Sequence, residues 1–250
     1  MALFTDGSIA TIIDLRGYES SILDVAHGED IDLTIKLRLA QEEVGVELEE
    51  VLRQMHRSGG AWVELGNVVV TSPLRQWQVF RALALVYRDA YNRALNDRYQ
   101  GKWQEYERLA QWALRMLRWT GIGWVQKPIG KAAAPEMDIV PSTAPAARYY
   151  VQVAWCDPSG QEGAPSEVGV LDVPDGGAPA IRVTSAEAGG TGWNVYAGTT
   201  DTDVMLQNDT PLAAGQQWVM PPMGLRQGRR AGVGQSARNF LTSKRILQRG

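Results

Sequence analysis

The sequence predicts an α+β protein in which an N-terminal helical bundle is followed by a small antiparallel β-sandwich and a C-terminal arm or helix. Apolar residues recur every three or four positions as far as Thr120, which is typical of amphipathic helices. From Tyr149 onward apolar and polar residues alternate instead, which indicates strands. The stretch between them, from Pro128 to Pro145, is rich in Pro, Ala and Gly, as linkers often are. We therefore expect a helical body over 1–130, a linker over 131–147, a β-sandwich over 148–222 and a C-terminal arm over 223–250.

The helical body contains one shorter and three longer amphipathic segments. Asp32 is the expected N-cap of the first long helix, which carries glutamates on the face opposite its apolar stripe. Ser72-Pro73 favours the start of the next one, because Ser caps helices and Pro suits the first turn. Gly121-Ile122-Gly123 ends the last one. Long helices joined by short connections pack as bundles. The predicted helices cover 14–26, 33–55, 72–96 and 97–120.

The second half of the chain contains several short strands separated by turn sequences. Asp157-Pro158-Ser159-Gly160, Pro174-Asp175-Gly176-Gly177 and Gly189-Gly190-Thr191-Gly192 are typical turns. Short strands at nearly regular spacing favour an antiparallel sandwich. The predicted strands are Tyr149–Cys156, Val168–Val173, Ala180–Ser185, Trp193–Ala197, Val204–Gln207 and Gln217–Met220.

Composition excludes several classes of protein. The single cysteine, Cys156, cannot form an intramolecular disulfide and gives no sign of an oxidising compartment. Residues 1–10 contain Asp6 and no basic cluster, so we do not expect a signal peptide. No apolar run reaches the roughly 20 residues that a membrane span requires. The sequence therefore predicts a soluble protein, cytoplasmic at synthesis, with no membrane partner.

The sequence offers no convincing catalytic, metal-binding or cofactor-binding residue. His27 and His56 lie near the ends of predicted helices, where positive charge is favourable, and neither has a second ligand at metal-binding spacing. Cys156 lies in a predicted strand and is expected to be a small buried apolar residue. The glycine-rich stretch 232–237 does not follow a strand in a βαβ unit, so we interpret it as a loop. We expect a protein that is not an enzyme.

Charge is distributed very unevenly along the chain. Residues 225–250 contain seven basic residues and no acidic one, which leaves a net charge of −10 for residues 1–224. Such an end could bind nucleic acid, dock on an acidic protein surface, or be a disordered solubilising tail. Apolar residues between the cations favour docking, because they need a groove to bury them. The candidate docking residues are Arg238, Phe240, Leu241, Lys244, Arg245, Ile246, Leu247 and Arg249.

Several stretches resemble the head-to-tail adaptor (connector) proteins of tailed bacteriophages. In the helical half these are Ile31 to Leu52, Val70-Thr71-Ser72-Pro73-Leu74-Arg75-Gln76-Trp77, Ala84 to Tyr91 and Trp103-Gln104-Glu105-Tyr106-Glu107. In the second half, Tyr149 to Val153, Gly160 to Glu167 and Gly192 to Gly198 are similar to immunoglobulin-like or fibronectin-type domains of phage particles. Together these stretches are distributed along the chain from residue 31 to residue 198, although the order of the sandwich motifs departs from a standard fibronectin module.

The resemblance implies a structural virion protein at the neck of the particle, assembled in the host cytoplasm. Adaptors of this family form a homo-oligomeric ring, typically dodecameric, beneath the portal protein, and a C-terminal arm inserts between portal subunits. The ring extends the DNA channel without sequence-specific binding and presents a platform for a downstream neck or tail protein. Ser236–Gly250 matches the docking arm in position and charge. Contacts around a ring would also give the nine tryptophans and the glutamate-rich helix face a role.

Two other classes of function stay open at this point. The sandwich could bind carbohydrate or cell-wall polymer if Trp193 or Tyr196 were exposed for stacking on sugar rings, although strand alternation places at least one of them in the core. A hydrolase using scattered Asp and Glu residues has the least support, because adjacent helical carboxylates such as Glu42 and Glu43 do not converge on one bond.

Overall fold

The computed structural model describes residues 2–94, 97–184 and 189–242, and it is α+β, as the sequence predicts. The chain forms two compact units. A helical unit contains Gly7–Val125 and the described residues from Ala237 onward. A sandwich unit contains Gln126–Ser236 and the described residues before Gly7. The boundary between the units therefore falls near Val125 rather than in a linker over 131–147.

Among its described residues the helical unit contains five α-helices, and its long helices begin and end close to the predicted positions. Asp32 caps α3 as expected, because its carboxylate accepts hydrogen bonds from the Thr34 and Ile35 amides at 2.7 and 3.2 Å. Short 3₁₀ turns, Leu65–Asn67 and Asp97–Tyr99, precede α4 and α5. The helices are α1 Ile12–Tyr18, α2 Ile22–Gly28, α3 Leu33–Arg57, α4 Ser72–Ala94 and α5 Gln100–Thr120.

The single helix predicted over 14–26 is wrong, since α1 and α2 are separate. Thr11 and Asp14 form a capping box at the start of α1. The helix ends because Glu19 adopts an extended backbone conformation. The Glu19 carboxylate accepts a hydrogen bond from the Ser21 hydroxyl at 2.8 Å, within the connection between the two helices. A polar interaction that periodicity does not reveal therefore interrupts the helix.

Helix α4 is the central element of the helical unit. It packs against both α3 and α5. Between Gln78 and Tyr87 every residue except Arg81 is buried, so this part of the helix is apolar on nearly all sides, as expected of a helix enclosed by others. The Arg81 side chain bridges the helices by ion pairs with Glu43 of α3 at 2.5 Å and Glu107 of α5 at 3.1 Å.

A short antiparallel pair of strands completes the helical unit. Strand β1, Ile122–Trp124, follows α5 directly and pairs with β9, Asn239–Leu241, with Ile122 opposite Leu241. The Val69 amide donates to the Gly123 carbonyl at 2.9 Å, which joins the segment before α4 to the same pair. Neither strand is predicted from the sequence, because each contains only three residues.

Within residues 126–184 and 189–236 the sandwich unit contains seven strands in two antiparallel sheets. One sheet has the order β2-β5-β8 and the other β4-β3-β6-β7. Apolar residues from both sheets, including Val151, Trp155, Ile181 and Val195, form one core. The strands are β2 Glu136–Pro141, β3 Ala147–Cys156, β4 Gly169–Val173, β5 Gly177–Arg182, β6 Gly192–Gly198, β7 Met205–Leu206 and β8 Gln217–Val219.

The structure differs from the sequence prediction at both ends of the sandwich. The predicted linker contains β2, which pairs with β5 along its whole length. The predicted arm begins within this unit, because 226–231 runs beside β7: the Leu206 amide donates to the Arg229 carbonyl at 2.8 Å, and Met205 bridges to Arg230. The Lys131 amide also donates to the Asp6 carboxylate at 2.9 Å, within the same unit.

Candidate docking surfaces

The C-terminal segment predicted to dock is partly incorporated into the helical unit. Strand β9 contains Phe240 and Leu241, so the helix or free arm expected from Ser236 onward is wrong for this part. Leu241 is only 9% exposed and lies beside Gly60. It therefore anchors the segment to its own chain and is not available to another protein.

Two other predicted docking residues are exposed, one within β9 and one directly before it. Phe240 is 56% exposed and Arg238 is also exposed. Both line a groove of about 650 Å³ between the C-terminal end of α3 and β9, together with Met55, Arg118 and Trp124. The remaining predicted docking residues, Lys244, Arg245, Ile246, Leu247 and Arg249, lie outside the described part of the chain.

The tryptophans divide into core and surface residues. Trp77, Trp155 and Trp193 are almost completely buried. Trp62 and Trp119, in contrast, are 61% and 72% exposed. Large exposed aromatic side chains are typical of protein contact surfaces. Both lie in the helical unit, which therefore carries apolar surface that a second protein could cover.

A buried carboxylate connects three elements of the helical unit. Glu19 accepts hydrogen bonds from the Tyr106 hydroxyl and Ser21 and forms an ion pair with Lys102 at 2.9 Å. Burial alone would raise the pKa of Glu19, but hydrogen bonds from Lys102, Ser21 and Tyr106 lower it to about 2. Burial and the nearby Glu19 carboxylate raise the pKa of Tyr106. Since Glu19 is ionised and fully paired, it stabilises the fold and is unsuited to proton transfer.

A second buried carboxylate lies in the sandwich unit. Glu162 accepts hydrogen bonds from the Tyr196 hydroxyl at 2.7 Å, from Asn194, and from two nitrogens of Arg229. Burial opposes ionisation of Glu162, but the hydrogen bonds from Arg229, Tyr196 and Asn194 lower its pKa. The Arg229 guanidinium also lies over the Tyr196 ring, 5.7 Å from its centroid. This network fastens the segment 226–231 to the sandwich.

Among the described residues, the cysteine and the two histidines do not form a recognisable reactive site. Cys156 is buried, and burial together with Glu162 and Asp157 raises the pKa of its thiol to about 11, which suppresses the reactive thiolate. His27 and His56 lie in the last turns of α2 and α3, as predicted. In the part of the chain that the structure describes, no three His, Cys, Asp or Glu side chains are grouped as metal ligands would be.

The aromatic residues considered for carbohydrate binding are both enclosed by the sandwich. Trp193 and Tyr196 have essentially no exposed surface, and the Trp193 indole donates to the Ala213 carbonyl at 2.9 Å. Stacking on a sugar ring needs an exposed aromatic face, so neither residue can provide it in this structure.

Comparison with known proteins does not assign the chain to a family. No protein-family model matches the sequence, and no curated protein matches it significantly. Among residues 2–94, 97–184 and 189–242, no helix is both long and apolar enough to cross a membrane.

Proposed function

We propose that this protein is a structural subunit of a tailed-phage particle, a head-to-tail adaptor that forms a ring under the portal, extends the DNA channel and joins the capsid to the tail. The sequence resemblance described above supplies the identity of the partners: the portal protein on one side and a downstream neck or tail protein on the other. In this role the protein acts by binding and assembly.

The observation that carries this proposal is the attachment of the basic C-terminal segment to the helical unit by strand β9, whose Leu241 side chain is buried. Pairing of β9 with β1 and burial of Leu241 fix the point, just after Thr242, from which residues 243–250 continue. Those eight residues contain Lys244, Arg245 and Arg249 together with Ile246 and Leu247. A short basic and apolar segment attached to a folded unit suits docking on another protein. Once the segment is bound, the attached unit is held close to the same partner.

We restrict the proposed docking region to fewer residues than the sequence suggested. Leu241 belongs to the adaptor's own core, whereas the exposed Phe240 and Arg238 lie next to the last eight residues. We therefore assign portal docking to Lys244, Arg245, Ile246, Leu247 and Arg249, with Phe240 and Arg238 as adjoining contacts. Carbohydrate binding is not proposed, because Trp193 and Tyr196 are buried.

A binding experiment with purified portal rings tests this assignment. The full-length chain is compared with a version ending at Thr242, which retains β9 and removes only the proposed docking segment. We expect the full-length chain to co-sediment with portal and the shortened chain to stay in the supernatant, while both have the same unfolding midpoint. Equal binding of the two chains would contradict the docking proposal.

Two further variants separate the ionic from the apolar part of docking. One replaces Lys244, Arg245 and Arg249 by Gln, and the other replaces Ile246 and Leu247 by Ser. We expect both to weaken portal binding, and only the Gln variant to lose the salt dependence of binding. The matched control is Arg148→Gln, which removes an exposed cation from the sandwich unit and should bind portal as the unchanged protein does.

A further inference from the structure

The second half of α5 presents a basic and aromatic face. Arg108, Trp112, Arg115 and Trp119 follow one another at steps of four, three and four residues, which places them on one side of a helix. All four are exposed, and Trp112 and Trp119 expose 40% and 72% of their surfaces. Residues 108–120 contain three arginines and no acidic residue. We call Arg108, Trp112, Arg115 and Trp119 the α5 face.

The middle of α3 presents an acidic face with the same spacing. Glu42, Val46 and Glu49 follow at steps of four and three residues, and all three are exposed. Residues 39–52 contain five glutamates and no lysine or arginine. Val46, at its centre, is 68% exposed, so an apolar side chain lies between the two glutamates of this surface. We call Glu42, Val46 and Glu49 the α3 face.

The glutamates of the α3 face are only weakly engaged within their own helix. Glu42 pairs with Arg38 at 2.7 Å and Glu49 with Arg53 at 3.3 Å, and the four side chains are between 48% and 62% exposed. Ion pairs of this kind, four residues apart on an exposed helix surface, contribute little and are easily exchanged. The glutamates of the α3 face can therefore exchange these ion pairs for ion pairs with cations of another protein surface.

We infer that the α5 face of one copy of this protein binds the α3 face of the next copy. Each face has the order charge, apolar, charge at steps of four and three residues, with opposite signs of charge. Residues 39–52 and 108–120 also have matching lengths, about 20 Å each. In such a contact Trp112 packs on Val46 while Arg108 and Arg115 meet Glu42 and Glu49. Since the surfaces differ, the contact is heterologous and can close a ring.

A second copy fits these two faces better than nucleic acid does. Tryptophan and arginine on α5 could stack on bases and neutralise phosphates. Nucleic acid, however, would leave Val46 uncovered and would be repelled by the glutamates around it. A second copy of the chain covers both faces at once. The inference rests on the proposed function for the role of the ring in the particle. Contact between the α5 face and the α3 face can nevertheless be tested without any portal protein.

Charge exchange tests the contact. One variant carries Arg108→Glu and Arg115→Glu, and the other carries Glu42→Arg and Glu49→Arg. Each variant alone then brings like charges together, so we expect its self-association to be about tenfold weaker or more than that of the unchanged protein in sedimentation equilibrium. When the two variants are mixed, every contact between a copy of one variant and a copy of the other joins opposite charges, and association should return.

Disulfide cross-linking detects the same contact even if the association is weak. In a Cys156→Ala background, a Val46→Cys chain is mixed with a Trp112→Cys chain under mild oxidation. We expect this heterodimer to form about tenfold faster or more than the one between Val46→Cys and Ile139→Cys, because only the first pair is held together by the contact. Ile139 is the matched control, with 44% of its surface exposed in the sandwich unit.

Each outcome decides the inference. Restored association on mixing, with the expected cross-link, supports it. Equal cross-linking rates, or no recovery on mixing of variants that unfold at the normal temperature, overturn it. Binding of DNA that is lost only in the Arg108→Glu/Arg115→Glu variant, without recovery on mixing, also overturns it and makes the α5 face a nucleic-acid surface. Failure of the portal experiment leaves these results unaffected, so the two proposals can fail separately.

Discussion

Arg229 binds Glu162 through both ends of its guanidinium group, with Nη1 at 3.0 Å from Oε2 and Nη2 at 2.6 Å from Oε1. The two residues are 67 positions apart in sequence, and the pair connects the turn after β3 to the segment that leaves the sandwich. The Glu162 side chain is only 9% exposed. Bidentate pairs of this kind are stronger and more specific than single ion pairs.

We expect Glu162→Gln to destabilise the sandwich unit by roughly 1–3 kcal/mol, because the neutral amide keeps only one acceptor oxygen and loses the charge that pairs with Arg229. Hydrogen exchange should accelerate at Leu206, whose amide bonds to the Arg229 carbonyl. The control is Asp172→Asn, which breaks an exposed pair with Arg148 and should leave the unfolding midpoint unchanged. Equal effects of the two substitutions would contradict a special role for Glu162.

The low pKa of Glu19 predicts that the folded protein loses stability in acid. Its pKa is about 2 in the folded protein, below its ordinary value of 4.5, so its contribution is complete above pH 4.5. As the pH falls from 4.5 to 2, the contribution disappears, up to about 3 kcal/mol. Unfolding by denaturant, measured at several pH values, should show this slope in the unchanged protein.

The Glu19→Gln variant provides the comparison for acid unfolding. It should be less stable at neutral pH, because Lys102 and Tyr106 lose a charged partner, and it should lose less stability than the unchanged protein between pH 4.5 and 2. If both proteins lose stability equally over that range, Glu19 is not the group responsible.

A side chain introduced at Gly123 should weaken the pairing of β9 with β1. A Cβ atom added there would lie 2.7 Å from the Ala237 Cβ and 2.9 Å from the Thr71 Cγ2, both closer than folded proteins allow. We expect Gly123→Ala to increase hydrogen exchange across β1 and β9. Gly101→Ala, in the first turn of α5, meets no neighbouring atom and should leave exchange unchanged or slower.

Phe240 and Leu241 should behave in opposite ways although they are adjacent. Leu241→Ala removes a buried side chain and should lower the free energy of unfolding by about 2–4 kcal/mol. Phe240→Ala affects an exposed side chain and should change stability little while weakening portal binding. A large loss of stability in Phe240→Ala would show that this residue belongs to the core instead.

Much of the helical body and of the sandwich can be predicted from residue periodicity. The cap at Asp32, the Ser72-Pro73 helix start and the alternation from Tyr149 to Cys156 reflect local physical preferences, and the structure confirms the helices and the strand that they predict. Strand β2 is hidden, because Pro, Ala and Gly obscure its pattern and its stability comes from pairing with β5. Likewise β9 depends on β1, more than a hundred residues away.

The candidate surfaces are harder to predict than the fold. The sequence locates the basic end, but it cannot show that Leu241 is buried in its own unit, since that depends on a distant partner. The repeat of Arg and Trp in α5 is visible in the sequence once the exposed side of the helix is known. Hydrophobic periodicity identifies the buried side of a helix but says nothing about the exposed residues. The repeat of Arg and Trp on the exposed side of α5 is therefore missed.

A cryo-EM map of the neck of the assembled phage particle provides the strongest test of the adaptor proposal. We expect a ring of this chain directly below the portal, with residues 243–250 in clefts between portal subunits and β9 still paired with β1. A map in which the chain is missing from the neck, or in which those eight residues contact only solvent or their own subunit, would contradict the proposal.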